Sequence, residues 1–312
     1  MVKIHTMKKD FKNLIELIEF FSTEAECIKY LKSTIWKDGA FCPHCGSNEI
    51  MEYTDIKRNR CKSCKCDFSI RKGTIFEDSN VKLKKWFMAT YLFNAHKKGI
   101  SSPQLAKDIG VSQPTAWFML QRLRHASNGM FKNQFQGTCE IDETYIGGKY
   151  ENMHTSKKAT LPQKATVLAI INRDTKQVKA YHTEDNKYHT LGEKVFQKVE
   201  HGSTWITDEY KGYKALKYYY NHQSINHSAK EYVRNGKTME AIIITTNTVE
   251  DFFGLLKRGI NGIYRWCSKK HLNRYLGEYS LRYNSREITD CERFTMFLGN
   301  IQGKMSYKEL IA

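Results

Sequence analysis

The sequence predicts a multidomain chain of mixed class, α+β in its first half and α/β in its second, and three observations predict it. A Cys- and Gly-rich stretch at 41–76 alternates in short runs, as a small β module does. Apolar residues then recur at helical spacing through 82–127. From 138 onward the pattern becomes β-branched and aromatic runs broken by turns and one helix, in the order βββαβα. A chain of 312 residues has room for about two domains and a small extra module.

The elements follow in order. Phe11, Leu14, Ile15, Leu17, Ile18 and Phe21 share one face of a first short helix. Thr23 and Glu26, three apart, read as the capping box of a second helix that runs through Leu31. Strands are expected at 138–146, 165–171, 177–182 and 204–207, with a helix at 191–199. From Val249 the chain reads as helical almost to its end. No internal repeat and no Gly/Ser tract is present, so no long flexible linker is expected.

Composition excludes several classes. The longest purely apolar runs, 167–171 and 241–244, fall far short of the roughly 20 residues of a membrane span. The opening Met-Val-Lys-Ile-His leads into Lys8 and Lys9 with no apolar segment, so no secretory signal is expected. Nine cysteines without one suggest metal ligands or free thiols in a reducing compartment. Fifty Lys and Arg against 33 Asp and Glu give a net charge of +17, which points to a polyanion partner, most simply nucleic acid. The excess is concentrated. Residues 57–124 hold fifteen basic and four acidic side chains, and 257–274 hold six basic and no acidic ones.

Cys42-Pro-His-Cys45 and Cys61-Lys-Ser-Cys64 are two C-x2-C pairs separated by 15 residues. Two residues between cysteines form a tight knuckle that aims both sulfurs at one ion, and two knuckles close a tetrahedral Zn2+ site. Four thiolates leave no open position, so the metal is expected to be structural, replacing a core that about 35 residues cannot build. Cys66 is read as packing, and His44 as exposed.

Residues 102–123 have the shape of a helix-turn-helix. Leu105, Ala106 and Ile109 face inward, Gly110 permits the turn, Val111 fills the corner and Ser112 caps a helix starting at Gln113-Pro114. Trp117, Leu120 and Leu123 are expected as the buried stripe of that helix. Gln113, Thr115 and Ala116 would then reach base edges, with Arg122 and Arg124 on phosphates.

Against this basic background a few acids stand out. Asp142 lies in one strand, Asp208 ends another with 65 residues between them, and Glu250 follows after 41 more, near the start of a helix. Carboxylates from two strands and a helix suit a pair of hard divalent cations, Mg2+ or Mn2+, acting on phosphate. Lys257, two turns beyond Glu250, could hold the DNA backbone. Singly, each acid reads equally well as a cap or a solvated charge.

With these residues in view, the chain resembles the DDE transposases of bacterial insertion sequences, in the group that joins an N-terminal zinc ribbon to an ISXO-type RNase H-like catalytic domain. The resemblance rests on Cys42-Pro-His-Cys-Gly-Ser47, Arg60-Cys-Lys-Ser-Cys64, Ile141-Asp-Glu-Thr-Tyr-Ile-Gly-Gly-Lys149, Ile206-Thr-Asp-Glu-Tyr-Lys-Gly-Tyr213 and the stretch from Thr246 to Ile260, and it covers about 20–285. It implies N-terminal helices at 1–40, a zinc ribbon at 41–80, a helix-turn-helix module at 81–130, an RNase H-like mixed sheet with helices on both faces at 137–290, and a tail at 291–312. It further implies Asp142 and Asp208 as the first two metal ligands, Glu250 or Asn247 as the third, and Lys257, with Arg258 beside it, as basic residues on DNA. His227 is a further candidate. The expected activity is metal-dependent strand cleavage at the element's ends and transfer into target DNA, by two divalent ions per site, in a homodimer or larger assembly on double-stranded DNA in the bacterial cytoplasm. A DNA-binding regulator without catalysis, and a nuclease or resolvase of similar fold, are the alternatives.

Overall fold

The computed structural model describes residues 10–53, 57–131, 134–147, 164–185, 187–208, 220–225, 233–235 and 243–311. The chain forms two compact units. The first takes residues 1–126 and 286–312, and the second takes residues 127–285.

The first unit opens with helices α1 (Leu14–Phe20) and α2 (Glu24–Ile35). Asn13 caps the first, and the expected Thr23–Glu26 capping box starts the second. A three-stranded antiparallel sheet follows, β1 (Ile50–Glu52), β2 (Asn59–Cys61) and β3 (Asp67–Phe68), in that order. It is tied to α2 by the buried Lys32, whose ammonium donates to Glu52 at 2.6 Å and to Asn59 at 2.9 Å. Three helices come next: α3 (Leu83–Ala95), α4 (Ser102–Ile109) and α5 (Gln113–Asn128). Helix α3 has no side-chain cap of its own. The Glu24 carboxylate, from α2, accepts the Leu83 backbone N–H at 2.9 Å and the Arg71 guanidinium at 2.6 Å.

The second unit is built on a five-stranded mixed sheet. Its strands are β4 (Thr138–Ile146), β5 (Ala165–Asn172), β6 (Gln177–Thr183), β7 (Thr204–Asp208) and β8 (Asn221–Ile225), arranged β6-β5-β4-β7-β8. The first three pair antiparallel, and β7 and β8 add in parallel. Every residue of β5 is buried, as its apolar run requires when both faces of a strand are covered. On one face, α6 (Tyr188–Lys198) brings Leu191 and Val195 against Cys139, Ile141, Leu168, Ile170 and Trp205. A short ribbon of β9 (Arg234–Asn235) and β10 (Ile243–Ile244) precedes the last two helices. These are α7 (Asn247–Gly259), prolonged by a π-helical turn (Ile260–Tyr264), and α8 (Lys269–Asn284). They cover the other face, with Val249, Phe252, Leu256, Leu272 and Leu276 packed on Val167, Ala169 and Ile171. Helices thus lie on both faces of a mixed sheet, the RNase H-like arrangement.

The chain then returns to the first unit. Residues 291–312, expected as a tail, instead contribute α9 (Asp290–Leu298) and α10 (Tyr307–Ile311). A second capping box, Thr289 with Glu292, starts α9, and its buried Phe294 packs edge-on against Phe11 and Phe87. The aromatic spacing of Phe294 and Phe297 makes this a core helix.

Within the second unit, α7 and α8 cross closely at Gly259. A Cβ there would lie 1.5 Å from the Tyr279 hydroxyl, so only glycine admits the crossing. Gly259→Ala is expected to destabilise the protein by about 1–3 kcal/mol through overpacking, read from the midpoint of denaturant unfolding. An unchanged midpoint would contradict the crossing.

Candidate functional site

The zinc module builds two matching knuckles. In the first, the Cys42 N–H donates to the Ser47 carbonyl and the Gly46 N–H donates to the Cys42 carbonyl, both at 2.9 Å. In the second, the Cys61 N–H donates to the Cys66 carbonyl and the Lys65 N–H to the Cys61 carbonyl, both at 3.0 Å. Gly46 (φ +74°) and Lys65 (φ +61°) occupy the left-handed conformation that closes each loop. Sulfurs Cys42–Cys64 and Cys45–Cys61 stand 3.7 and 3.6 Å apart, and all four lie within 4.8 Å of one another. Among the described residues this is the one group of three or more metal-ligating side chains drawn that close. Backbone N–H groups of Cys64 and Ser63 lower the Cys61 thiol to about 6, toward the thiolate that a metal needs. The donor set fits structural Zn2+. Cys66, expected to pack, is exposed and serves only through its carbonyl; His44 is exposed, as expected.

The helix-turn-helix has the expected bounds. Ser101 caps α4, Gly110 turns the chain at φ +62°, and Ser112 accepts the Thr115 N–H at 3.4 Å. Gln113 is exposed at the start of α5 and Thr115 is half-buried beside it. The phase of α5 differs from the expected one. Ala116, Met119, Leu120 and Leu123 form its buried stripe, while Trp117 is only half-buried. Ala116 therefore packs inside and does not reach base edges. Arg122 and Arg124 are also buried, at 4% and 1% exposure, and do not reach phosphates. The Arg122 guanidinium instead donates to the carbonyls of Ile75 and Glu77, both at 2.8 Å, and of Met305 at 3.1 Å. It sits over the Phe118 ring and ties α5 to two other stretches of the first unit.

In the second unit, strand parity decides the acids. Cys139 and Ile141 face α6, so Glu140 and Asp142 face α7. Strands β4 and β7 run parallel and pair as far as Glu140 opposite Ile206; Asp142 and Asp208 each lie two residues beyond that last pair. By parity both fall on the same face of the sheet, and the charge of Asp208 bears on Asp142. Asp142 is pushed up to about 8, first by burial and then by the negative charges of Glu143, Asp208 and Glu250, against a backbone N–H from Glu143 at 2.8 Å. Glu250 thus stands close enough for its charge to bear on Asp142. It lies exposed in the first turn of α7, and the buried Thr246 hydroxyl donates to it at 3.1 Å. Asn247 is exposed one turn earlier on the same side. Lys257 and Arg258 are exposed toward the far end, Lys257 about 10 Å along the axis from Glu250. His227 lies outside the described residues.

One group escaped the sequence reading. Glu140 is fully buried, and its carboxylate accepts four hydrogen bonds. The Thr248 and Val249 backbone N–H groups donate at 3.0 and 3.1 Å, the Thr248 hydroxyl at 2.8 Å, and the Arg173 guanidinium at 2.7 Å. Its place two residues before Asp142, on the same face, was the available signal.

Comparisons with known proteins agree with this architecture. Residues 134–284 match the family described as the ISXO2-like transposase domain, and residues 22–66 match the transposase zinc-ribbon domain. A protein of Halobacterium salinarum, described as an uncharacterized protein in transposable element ISH50, is 26% identical over 285 residues, which cover 85% of this chain and 92% of that one. No solved structure matches the chain.

Two outcomes are expected. The purified protein should hold about one Zn2+ per chain by metal analysis, and Cys61→Ser should lose both the ion and part of the thermal transition. Zinc retained by that variant would refute the site. Arg122→Ala should lower stability by about 1–3 kcal/mol by orphaning buried carbonyls. Gln113→Ala should leave the melting temperature in place but weaken duplex binding by about 1–3 kcal/mol, measured by fluorescence anisotropy. The reverse pattern would restore Arg122 to the DNA-facing surface.

Proposed function

Because the chain carries an ISXO2-like transposase domain behind a transposase zinc ribbon, we propose that it binds the ends of its own insertion element, cleaves a strand there and joins the freed 3′-hydroxyl to target DNA. The observation that carries this reading is the register of β4 on β7. It puts Asp142 and Asp208 on one face of the sheet, each two residues beyond the last pair, where the charges of Asp208 and Glu250 bear on Asp142.

Asp142, Asp208 and Glu250 hold Mg2+ or Mn2+ in this reading, two ions per site. Oxygen donors alone suit such hard cations. When bound, the ions activate the attacking oxygen and stabilise the leaving one. Asn247 offers a neutral amide oxygen on the same side, as a further ligand or a partner that orients Glu250. Lys257 and Arg258 hold the phosphate backbone running past the site. Burial of Asp142 keeps the reacting region partly dry, which strengthens every charge interaction in it. Both proposed steps need the same residues, since hydrolysis and strand transfer differ only in the attacking hydroxyl.

The zinc ribbon and Gln113 with Thr115 recognise the terminal inverted repeats of double-stranded DNA. The overall charge of +17 supplies sequence-independent affinity for phosphates. Joining two ends calls for at least two copies of the chain on DNA. Among the described residues no helix is long and apolar enough to cross a membrane, and we place the work on DNA in the cytoplasm.

Asp142→Asn and Asp208→Asn should each reduce Mg2+-dependent cleavage of end-containing DNA by about 10²–10³-fold or more, with duplex binding retained. Cleavage at the parental rate in both would overturn the assignment. A strand-transfer assay with pre-cleaved ends should yield joined product; cutting without joining would make the protein a nuclease.

A further inference from the structure

Helix α7 carries Glu250 and Asn247, and its own sequence caps only the first N–H, that of Asn247, which donates to the Thr245 hydroxyl at 3.2 Å. Thr246 stands at the N-cap position with φ −112° and ψ 9°, and its side chain makes no capping bond. That hydroxyl is turned instead to Glu250. The first-turn N–H groups of a helix need an acceptor when they are buried. Here the acceptor comes from the sheet. Glu140 Oε2 takes the N–H groups of Thr248 and Val249, and Oε1 takes the Thr248 hydroxyl and Arg173 Nε. Arg173, from the loop after β5, spends its remaining nitrogens on the carbonyls of Ile243 and Thr245, just upstream of α7. One carboxylate and one guanidinium thus fix the strand that bears Asp142 to the start of the helix that bears Glu250.

We propose that Glu140, backed by Arg173, is a positioning residue that sets the separation of the acids on β4 and α7, and thereby the affinity and geometry of the metal site. The inference rests on the acids acting as metal ligands, as proposed above. Glu140 itself has no part in holding the ion: its four hydrogen bonds point into the protein, and it is fully buried. Its role is to keep Glu250 at a fixed height over Asp142. The negative charge at the helix N-terminus is favourable, and four donors on one carboxylate leave it little freedom to shift. Loss of that hold lets the first turn of α7 move, and a misplacement of about 1 Å costs reacting groups about 10²-fold in rate.

The test uses the full chain bound to end-containing DNA. Glu140→Gln preserves shape but replaces one acceptor oxygen with a donor that faces Arg173. Hydrogen exchange is read first, because it needs no activity. Amides at 247–250 should exchange at least about tenfold faster than in the parent, with the rest of α7 unchanged. The Mg2+ concentration for half-maximal cleavage should rise about tenfold, with duplex affinity kept within about twofold. A merely structural role would lower the amplitude of cleavage, by reducing the folded fraction, and leave that midpoint in place. Unchanged exchange at 247–250 overturns the brace. Faster exchange with an unmoved Mg2+ midpoint overturns its positioning role. Should Glu140→Gln fail to fold, Thr248→Val removes one donor to the same carboxylate and uncovers no charge; an unmoved midpoint there also refutes the proposal. If the parent protein does not cleave at all, the transposase reading fails, whereas Mn2+ binding by calorimetry still compares the parent with Glu140→Gln. Equal Mn2+ affinity in the two would end the proposal on its own.

Discussion

A buried helix start must find acceptors for its first N–H groups, and in this protein that requirement governs where the acids can stand. Among the helices that begin without a side-chain cap at the N-cap residue are α3 and α7. Each borrows a glutamate from another element, Glu24 for α3 and Glu140 for α7, and each glutamate is held by an arginine, Arg71 or Arg173. A carboxylate at such a point does more than satisfy orphan donors. It fixes the axial position of the helix against the element that supplies it, because a shift of one residue would leave the wrong N–H groups facing the charge. In the second unit that element is the strand bearing Asp142. The spacing of the carboxyl groups that face each other across the sheet and helix therefore follows from hydrogen bonding that lies beneath them, in the protein interior.

The cysteine cluster and the facing acids draw on opposite properties of the chain. The cysteine knuckles gather soft thiolates to within 4.8 Å in a module whose strands are only two or three residues long. A sheet that small buries too little apolar surface to stand alone, so the ion takes the place of a core. The acids instead sit on a sheet already stabilised by apolar layers on both faces. There the fold carries the cost of burying an acid beside like charges, visible in Asp142, whose ionisation is pushed up to about 8 by burial first and by its acidic neighbours second.

Much of this was legible in the residues. The C-x2-C pairs, the capping box at Thr23, the bounds of the helix-turn-helix and the first four strands of the sheet all carry local signals that the structure honours. What failed was whatever depends on distant partners. Arg122 reads as a surface cation because nothing nearby announces the carbonyls of Ile75, Glu77 and Met305 that enclose it. The phase of α5 went astray by one residue, because Trp117 outweighs Ala116 in any estimate of hydrophobic stripe, yet the small side chain is the one that fits inside. Strand β8, Asn-His-Gln-Ser-Ile, has no alternation to announce it and is held by pairing with β7 and by Ile225 packed with Ile206 and Ile244. Glu140 was hidden for a different reason. Its parity with Asp142 was plain, but a glutamate in a strand suggests a solvated edge until the helix it caps is known.

The return of the polypeptide to its starting unit has a consequence for biogenesis. Phe294 fills an aromatic cluster with Phe11, Phe21 and Phe87, so the hydrophobic interior of the first unit is incomplete until the segment that follows the second unit has been translated. The sheet-bearing half is inserted into the other and is fully synthesised first. On the ribosome the unit that bears the acids can therefore mature while the unit that bears the cysteines still waits for its closing helix.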